Sequence, residues 1–294
     1  MTQPRRQADS LFNDLLLPEE TLRVRRDVRQ FADDVIRPAA RDLNTRPESR
    51  DGFPRALFKA MAEAGLYRIP FAEDVGGLGL EYPTLATLIV LEELGYHSPG
   101  LASALYDGQA ILVGQTLDQA GGFLRETYLP RLVRGEFVGS FATSEPAAST
   151  DLSPARMQTV ATPVDGGYLV SGCKRWITNS VAADHIAVLC RSGDRQTFLF
   201  ADMHAAGVQV SDPDLKMGNH AQLTADVSFD QVFVPDDHVI GKPGGGLGEF
   251  HRPDQPREAR DAAPAAEAPA PAPAPAPQPA PVAEAPVAAE APQK

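Results

Sequence analysis

The chain has 294 residues, a formal net charge of −12 and two cysteines. Twelve of its 27 prolines fall in residues 248–294, and residues 262–294 hold 15 Ala and 10 Pro. Residues 1–247 keep 32 acidic and 23 basic side chains, a net −9, which excludes a general nucleic-acid surface.

The start, MTQPRRQADSLFNDLL, has two arginines but no apolar run behind them, so it does not read as a signal peptide. The apolar stretch near Leu85–Leu91 is too short and interrupted to span a bilayer, so no membrane partner is expected. Cys173 and Cys190 lack CxxC spacing and read as reduced thiols of a cytoplasmic protein.

Residues 18–135 read as helical. Pro18-Glu19-Glu20 opens the first helix, with acids where the helix dipole favours them. Val24, Val28, Phe31 and Val35 then form one apolar stripe. A second helix is predicted from about Pro54 to Ala64, ending at Gly65 as C′ glycine. Gly76–Leu80 reads as a loop, and helices follow at about 82–95, 100–116 and 119–134.

The pattern changes near Phe137. Asp165-Gly166-Gly167 reads as a hairpin turn before Tyr168–Val170. Ile186–Cys190, Thr197–Ala201, Gly207–Val210, Ala225–Phe229, Val232–Val234 and Val239-Ile240 read as further strands. The class is α+β: an all-α domain (1–136), a small β-barrel or sandwich (137–247), then a disordered Ala/Pro-rich tail (248–294). In that tail the alternating Ala-Pro between Ala268 and Pro277 removes every second N–H, which leaves a stiff polyproline-like segment.

Two glycine clusters, Gly76–Gly79 and Gly241–Gly248, superficially resemble phosphate loops. Neither spells a dinucleotide or P-loop fingerprint in a βαβ context, so both read as loop glycines. The six histidines show no metal-ligand spacing, and His185 reads as a core or edge residue. No serine-nucleophile elbow is present.

Three segments of the β region remain: Phe141–Pro146 with Ala147–Asp151, Lys174–Asn179, and Leu215–Asn219. Each alone could be a hydroxyl-rich loop. Together they offer what a flavin needs. Trp176 can pack flat on a ring system, Ser144 and Thr178 can hydrogen-bond its carbonyls and N5, and Thr150 can meet a pyrophosphate.

At these residues the sequence resembles the acyl-CoA dehydrogenase family, whose pattern runs TEP..GSD, G.K.WITN and KMG…VP…LG. Here the segments read SEP..STD, GCKRWITN and KMG…VP…IG. LPEE…RDVRQFADDVIRP, GLYRIPFAEDVGGLGL, VLEELGY and YLPRLVRGE extend the resemblance over about residues 11–247.

The resemblance implies FAD held non-covalently, contacted by Phe141, Thr143, Ser144, Ser149, Thr150, Trp176, Ile177 and Thr178. Thr178 would donate near flavin N5. Ser149 replaces a family glycine and Ser144 a family threonine. Ser149 therefore adds a side chain where the pyrophosphate approaches the backbone. Thr150 would also approach the acyl-CoA thioester. Ala102, Ser103 and Tyr106 would line the acyl cavity, with Tyr106 filling its end and favouring short or branched acyl groups.

The family chemistry also needs a carboxylate base, a glutamate on a C-terminal helical bundle. Here Gly244-Gly245-Gly246-Leu247 stands where that bundle should begin, and Ala/Pro-rich sequence follows. Glu249 and Glu258 lie in no helical apolar period, so no catalytic residue and no metal ligand is assigned.

The bundle builds the family's homo-oligomer and completes its FAD contacts, so neither assembly nor tight FAD binding is expected. The first reading is an acyl-CoA dehydrogenase broken by frameshift or truncation, with electron transfer flavoprotein as the family's usual acceptor. The alternatives are a non-catalytic or partner-completed subunit and a related flavin oxidase or monooxygenase.

Overall fold

The computed structural model describes residues 17–148 and 151–246. The expected disordered tail, Ser149 and Thr150 lie outside the described residues.

The helical part opens with α1 (Glu19–Phe31), which continues through a π-helical turn (Ala32–Ile36) into α2 (Arg37–Thr45). Its buried row is Val24, Val28, Ala32 and Ile36. Phe31 and Val35 of the expected stripe are half-buried and pack against the same core.

Helix α3 (Arg55–Glu63) ends as expected, with Gly65 in the left-handed region at φ 74°. Helix α4 (Pro83–Gly95) packs on α1, where the Arg29 guanidinium grips the fully buried Glu93 carboxylate at 2.8 and 3.0 Å.

The next helix is longer than expected. α5 (Pro99–Leu101) passes into a 13-residue π-helical stretch (Ala102–Gly114) and then α6 (Gln115–Ala120). The break falls at Gly121 and Gly122, both at positive φ, before α7 (Gly122–Val133). Only glycine takes two such dihedrals in succession without strain, which is why the break lies there and not at 117–118.

The first glycine cluster has a packing role. A Cβ on Gly77 would sit 2.0 Å from the Phe71 carbonyl oxygen, so the loop folds directly against its own backbone.

The strands are β1 (Gly139–Ala142), β2 (Val160–Val164), β3 (Gly167–Thr178) and β4 (His185–Ser192). They continue with β5 (Arg195–Asp202), β6 (Val208–Val210), β7 (Thr224–Pro235) and β8 (Val239–Ile240). They form one mixed sheet in the order β6-β7-β3-β2-β4-β5-β8, with β1 parallel to β4.

The two strands expected at 225–229 and 232–234 are one strand. Ser171 faces both Asp230 and Gln231 there, a bulge that flips the side-chain alternation. β4 sends Ala187 and Leu189 to the core shared with the helices, and Ile186, Val188 and Cys190 to a second core with β3 and β7. Both faces of the one mixed sheet are therefore packed. Both cysteines are free, and burial pushes the Cys190 thiol up to about 12.

The two parts are stitched by polar groups. The Gln109 side chain donates to the Phe137 carbonyl and accepts from Gly139 N–H, each at 2.8 Å. His185 sits half-buried among Tyr128, Phe137 and Phe200, as an edge histidine should.

Candidate functional site

The second segment singled out above is the end of β3. Lys174 pairs with Val227 and Ile177 with Ala225, so Arg175 and Trp176 face Asp226 alone. This bulge throws Trp176 into the left-handed region at φ 59° and leaves its indole 53% exposed. For a large side chain that conformation is strained. Arg175 reaches Asp226 Oδ2 at 2.7 Å and lies over the indole at 5.3 Å, supporting one of its faces.

The first segment is strapped to this one from behind. Lys174 Nζ, with no exposed surface, donates to the Thr143 carbonyl at 3.0 Å and to Glu145 Oε1 at 2.9 Å. Glu145 also accepts from the Gln158 and Thr159 N–H groups at 2.6 and 2.9 Å. Burial pulls the Glu145 carboxyl up, but these donors outweigh it and hold the group below its ordinary value. Burial likewise lowers Lys174, with Glu145 opposing.

Arg175 N–H donates to the Ser144 carbonyl at 2.9 Å. The Thr143 and Ser144 hydroxyls have no protein partner among the described residues. Phe141 packs its ring edge-on to Phe198 at 5.3 Å and is half-buried. Ile177 points into the sheet core.

The third segment braces a turn. Leu215 and Met217 are exposed, while Lys216 Nζ bonds the Gln222 carbonyl and lies 3.2 Å from Glu48. His220 Nδ1 is 3.1 Å from the same Glu48 oxygen. This turn holds Gln222, whose Nε2 lies 3.0 Å from Ser103 Oγ and 3.2 Å from Thr178 Oγ1.

The three expected acyl-side residues divide at this point. Ser103 meets the sheet through Gln222, whereas Ala102 and Tyr106 belong to the core that the helices share. Burial raises the Tyr106 phenol above its ordinary value. Ser149 and Thr150 lie outside the described residues. A cavity of about 700 Å³ is lined by Ala147, Arg156, Gln158 and Arg191, among others.

Three features escaped the sequence reading. Gln222 carries no motif signal. Glu145 and Lys174 sit inside the motifs, but nothing in spacing shows that they pair across 29 residues. Asp107 lies one turn beyond Ser103, is partly buried, and has its carboxyl raised by that burial.

The donor set suits a flat, acceptor-rich ligand. The segments at the bulge carry an exposed indole and the Thr143, Ser144 and Thr178 hydroxyls. The architecture is a helical domain followed by a mixed-sheet domain, with Gln222 bridging Ser103 of the first and Thr178 of the second.

The chain belongs to the acyl-CoA dehydrogenase family. Residues 18–136 match the model of that family's N-terminal domain and residues 140–232 that of its middle domain. Benzylmalonyl-CoA dehydrogenase of Aromatoleum aromaticum is 35% identical over 81% of this chain and 61% of its own length. Mitochondrial isovaleryl-CoA dehydrogenase of Arabidopsis thaliana is 31% identical over 83% of this chain and 59% of its own.

Among solved structures, butyryl-CoA dehydrogenase of Megasphaera elsdenii superposes with a TM-score of 0.72 at 26% identity. That match covers 80% of this chain and 62% of the other. A glutaryl-CoA dehydrogenase of Mycobacterium smegmatis in complex with FADH2 shares the fold, with a TM-score of 0.70 at 22% identity. It covers 81% of this chain and 59% of that one. The chain thus spans about three fifths of the length of the relatives it matches.

Proposed function

We propose that this chain provides the FAD-binding and acyl-CoA-binding surfaces of an enzyme that desaturates an acyl-CoA thioester between its α and β carbons. The observation that carries the reading is the bulge at Arg175-Trp176. It presents the exposed indole and, two residues on, the Thr178 hydroxyl beside Ser103 of the helical part.

FAD, when bound, supplies the acceptor for the β-hydrogen as hydride. The chain's own residues then bind and orient. Trp176 packs on the ring system, with Arg175 fixing the indole from the other side. Thr178 donates a hydrogen bond at the ring edge, and Ser144 and Thr143 offer hydroxyls to its polar rim. Phe141 and the Ser149-Thr150 pair complete the proposed flavin contacts, with Ile177 contributing from the core side. On the substrate side, Ser103 and Thr150 face the thioester, and Ala102 and Tyr106 set the depth available to the acyl group.

No general base is assigned among the described residues. Electron transfer flavoprotein is the electron acceptor in this reading, and the cytoplasm is the compartment. Among the described residues no helix is long and apolar enough to cross a membrane.

The test is titration of the purified chain with FAD, followed by flavin fluorescence, with and without an acyl-CoA. Weak saturable binding with no dye reduction is the expected result. A stoichiometric yellow protein that turns over acyl-CoA would refute the incomplete-site part. A chain to which neither FAD nor acyl-CoA binds would refute the whole reading.

A further inference from the structure

The amide nitrogen of Gln222 lies within hydrogen-bonding distance of two hydroxyls, Ser103 Oγ at 3.0 Å and Thr178 Oγ1 at 3.2 Å. One comes from the π-helical stretch of the helical part and the other from the end of β3. An amide –NH2 has two protons and no acceptor on nitrogen, so both hydroxyls must accept from it. Each hydroxyl then has a proton left to donate, and neither finds a further acceptor among the described residues.

The backbone of Gln222 is itself held. Its N–H donates to the Asn219 carbonyl at 2.9 Å, and its carbonyl accepts from Lys216 Nζ, which Glu48 anchors in turn. The amide is therefore fixed on a braced turn.

We infer that Gln222 is a positioning residue which turns Ser103 and Thr178 into a pair of outward hydrogen-bond donors. The ligand they suit is one that offers acceptors at two nearby points, a flavin edge at Thr178 and an acyl thioester at Ser103. The inference rests on the flavin reading above and adds to it the residue that sets donor polarity. A hydroxyl that is free to rotate can point its proton anywhere; one that accepts from an amide must turn its proton away from that amide.

The test uses the full chain, three single variants and one double: Gln222→Met removes the amide without adding charge, Gln222→Glu keeps the shape but offers only acceptors, Thr178→Val removes the hydroxyl, and the double combines Gln222→Met with Thr178→Val. The readouts are FAD dissociation constant, flavin absorption spectrum and apo-protein Tm. Both Gln222 variants should weaken FAD at least tenfold and shift the flavin bands, with Tm for Gln222→Glu within a few degrees of the parent. In the Thr178→Val background, Gln222→Met should cost no further affinity, since it acts through that hydroxyl.

Gln222→Glu with unchanged affinity and spectrum would show that an acceptor serves as well there, and would overturn the inference. Additive losses in the double variant would also overturn it. A parent chain that binds no FAD at all removes the flavin reading and this inference together, whereas a parent that binds while the variants do not differ removes the inference alone.

Discussion

Asp107 carries a half-buried carboxylate with no ion pair among the described residues, and burial raises its pKa. A raised carboxyl stabilises the fold at low pH and loses that contribution as pH rises through the folded value. Asp107→Asn should therefore raise Tm at pH 7 and leave it almost unchanged near pH 3; thermal melts at the two pH values would check this. Glu145 behaves oppositely. Its depressed carboxyl contributes stability above the ordinary value of 4.5, and that contribution is lost as pH falls through the folded value. Glu145→Gln should flatten the acid limb below about pH 4.5 and lower stability at pH 7. Removing one partner of a buried pair costs about 3–5 kcal/mol. Chemical denaturation of Glu145→Gln and Lys174→Met across pH 3–7 measures both effects.

Among the elements, the bulge at Arg175-Trp176 sets a strained conformation against a displayed ring. Trp176→Gly should stabilise the apo protein by about 1 kcal/mol, because glycine adopts positive φ freely. The same variant should lose FAD binding, so a melt and a titration run in parallel would reveal the trade. Gly77→Ala should act only on stability. Its Cβ would meet the Phe71 carbonyl at 2.0 Å, and relief of such a clash costs about 1–3 kcal/mol of unfolding free energy, measured by denaturant titration.

The same elements show what a sequence makes legible. Gly65 as a helix stop and the Asp165-Gly166 hairpin were readable because their chemistry is local. The motif residues 141–144 and 174–178 could be singled out, and the structure brings those segments together. The merged β7 could not be read, because a bulge reverses the alternation that defines a strand: Val227 and Phe229 face the core, then Val232 and Val234. Gln222 was invisible for a different reason. Its role depends on Ser103 and Thr178, which lie 119 and 44 residues away.

At the scale of the molecule, the described residues, 17–148 and 151–246, belong to one compact unit although two family domains divide them. Gln109 is responsible for part of that unity. Its fully buried amide takes the place of a neighbouring strand for Phe137 and Gly139, where β1 begins. Asp184 does the same for the Val138 N–H at 2.8 Å. Deuterium should therefore reach the Gly139 amide only when helices and sheet open together. Gln109→Leu would strand two buried main-chain groups and let that amide exchange ahead of the β4 amides. A sheet fragment cut at residue 137 would begin life with those groups bare, so the seam that homology draws at that position is one along which the folded protein does not come apart.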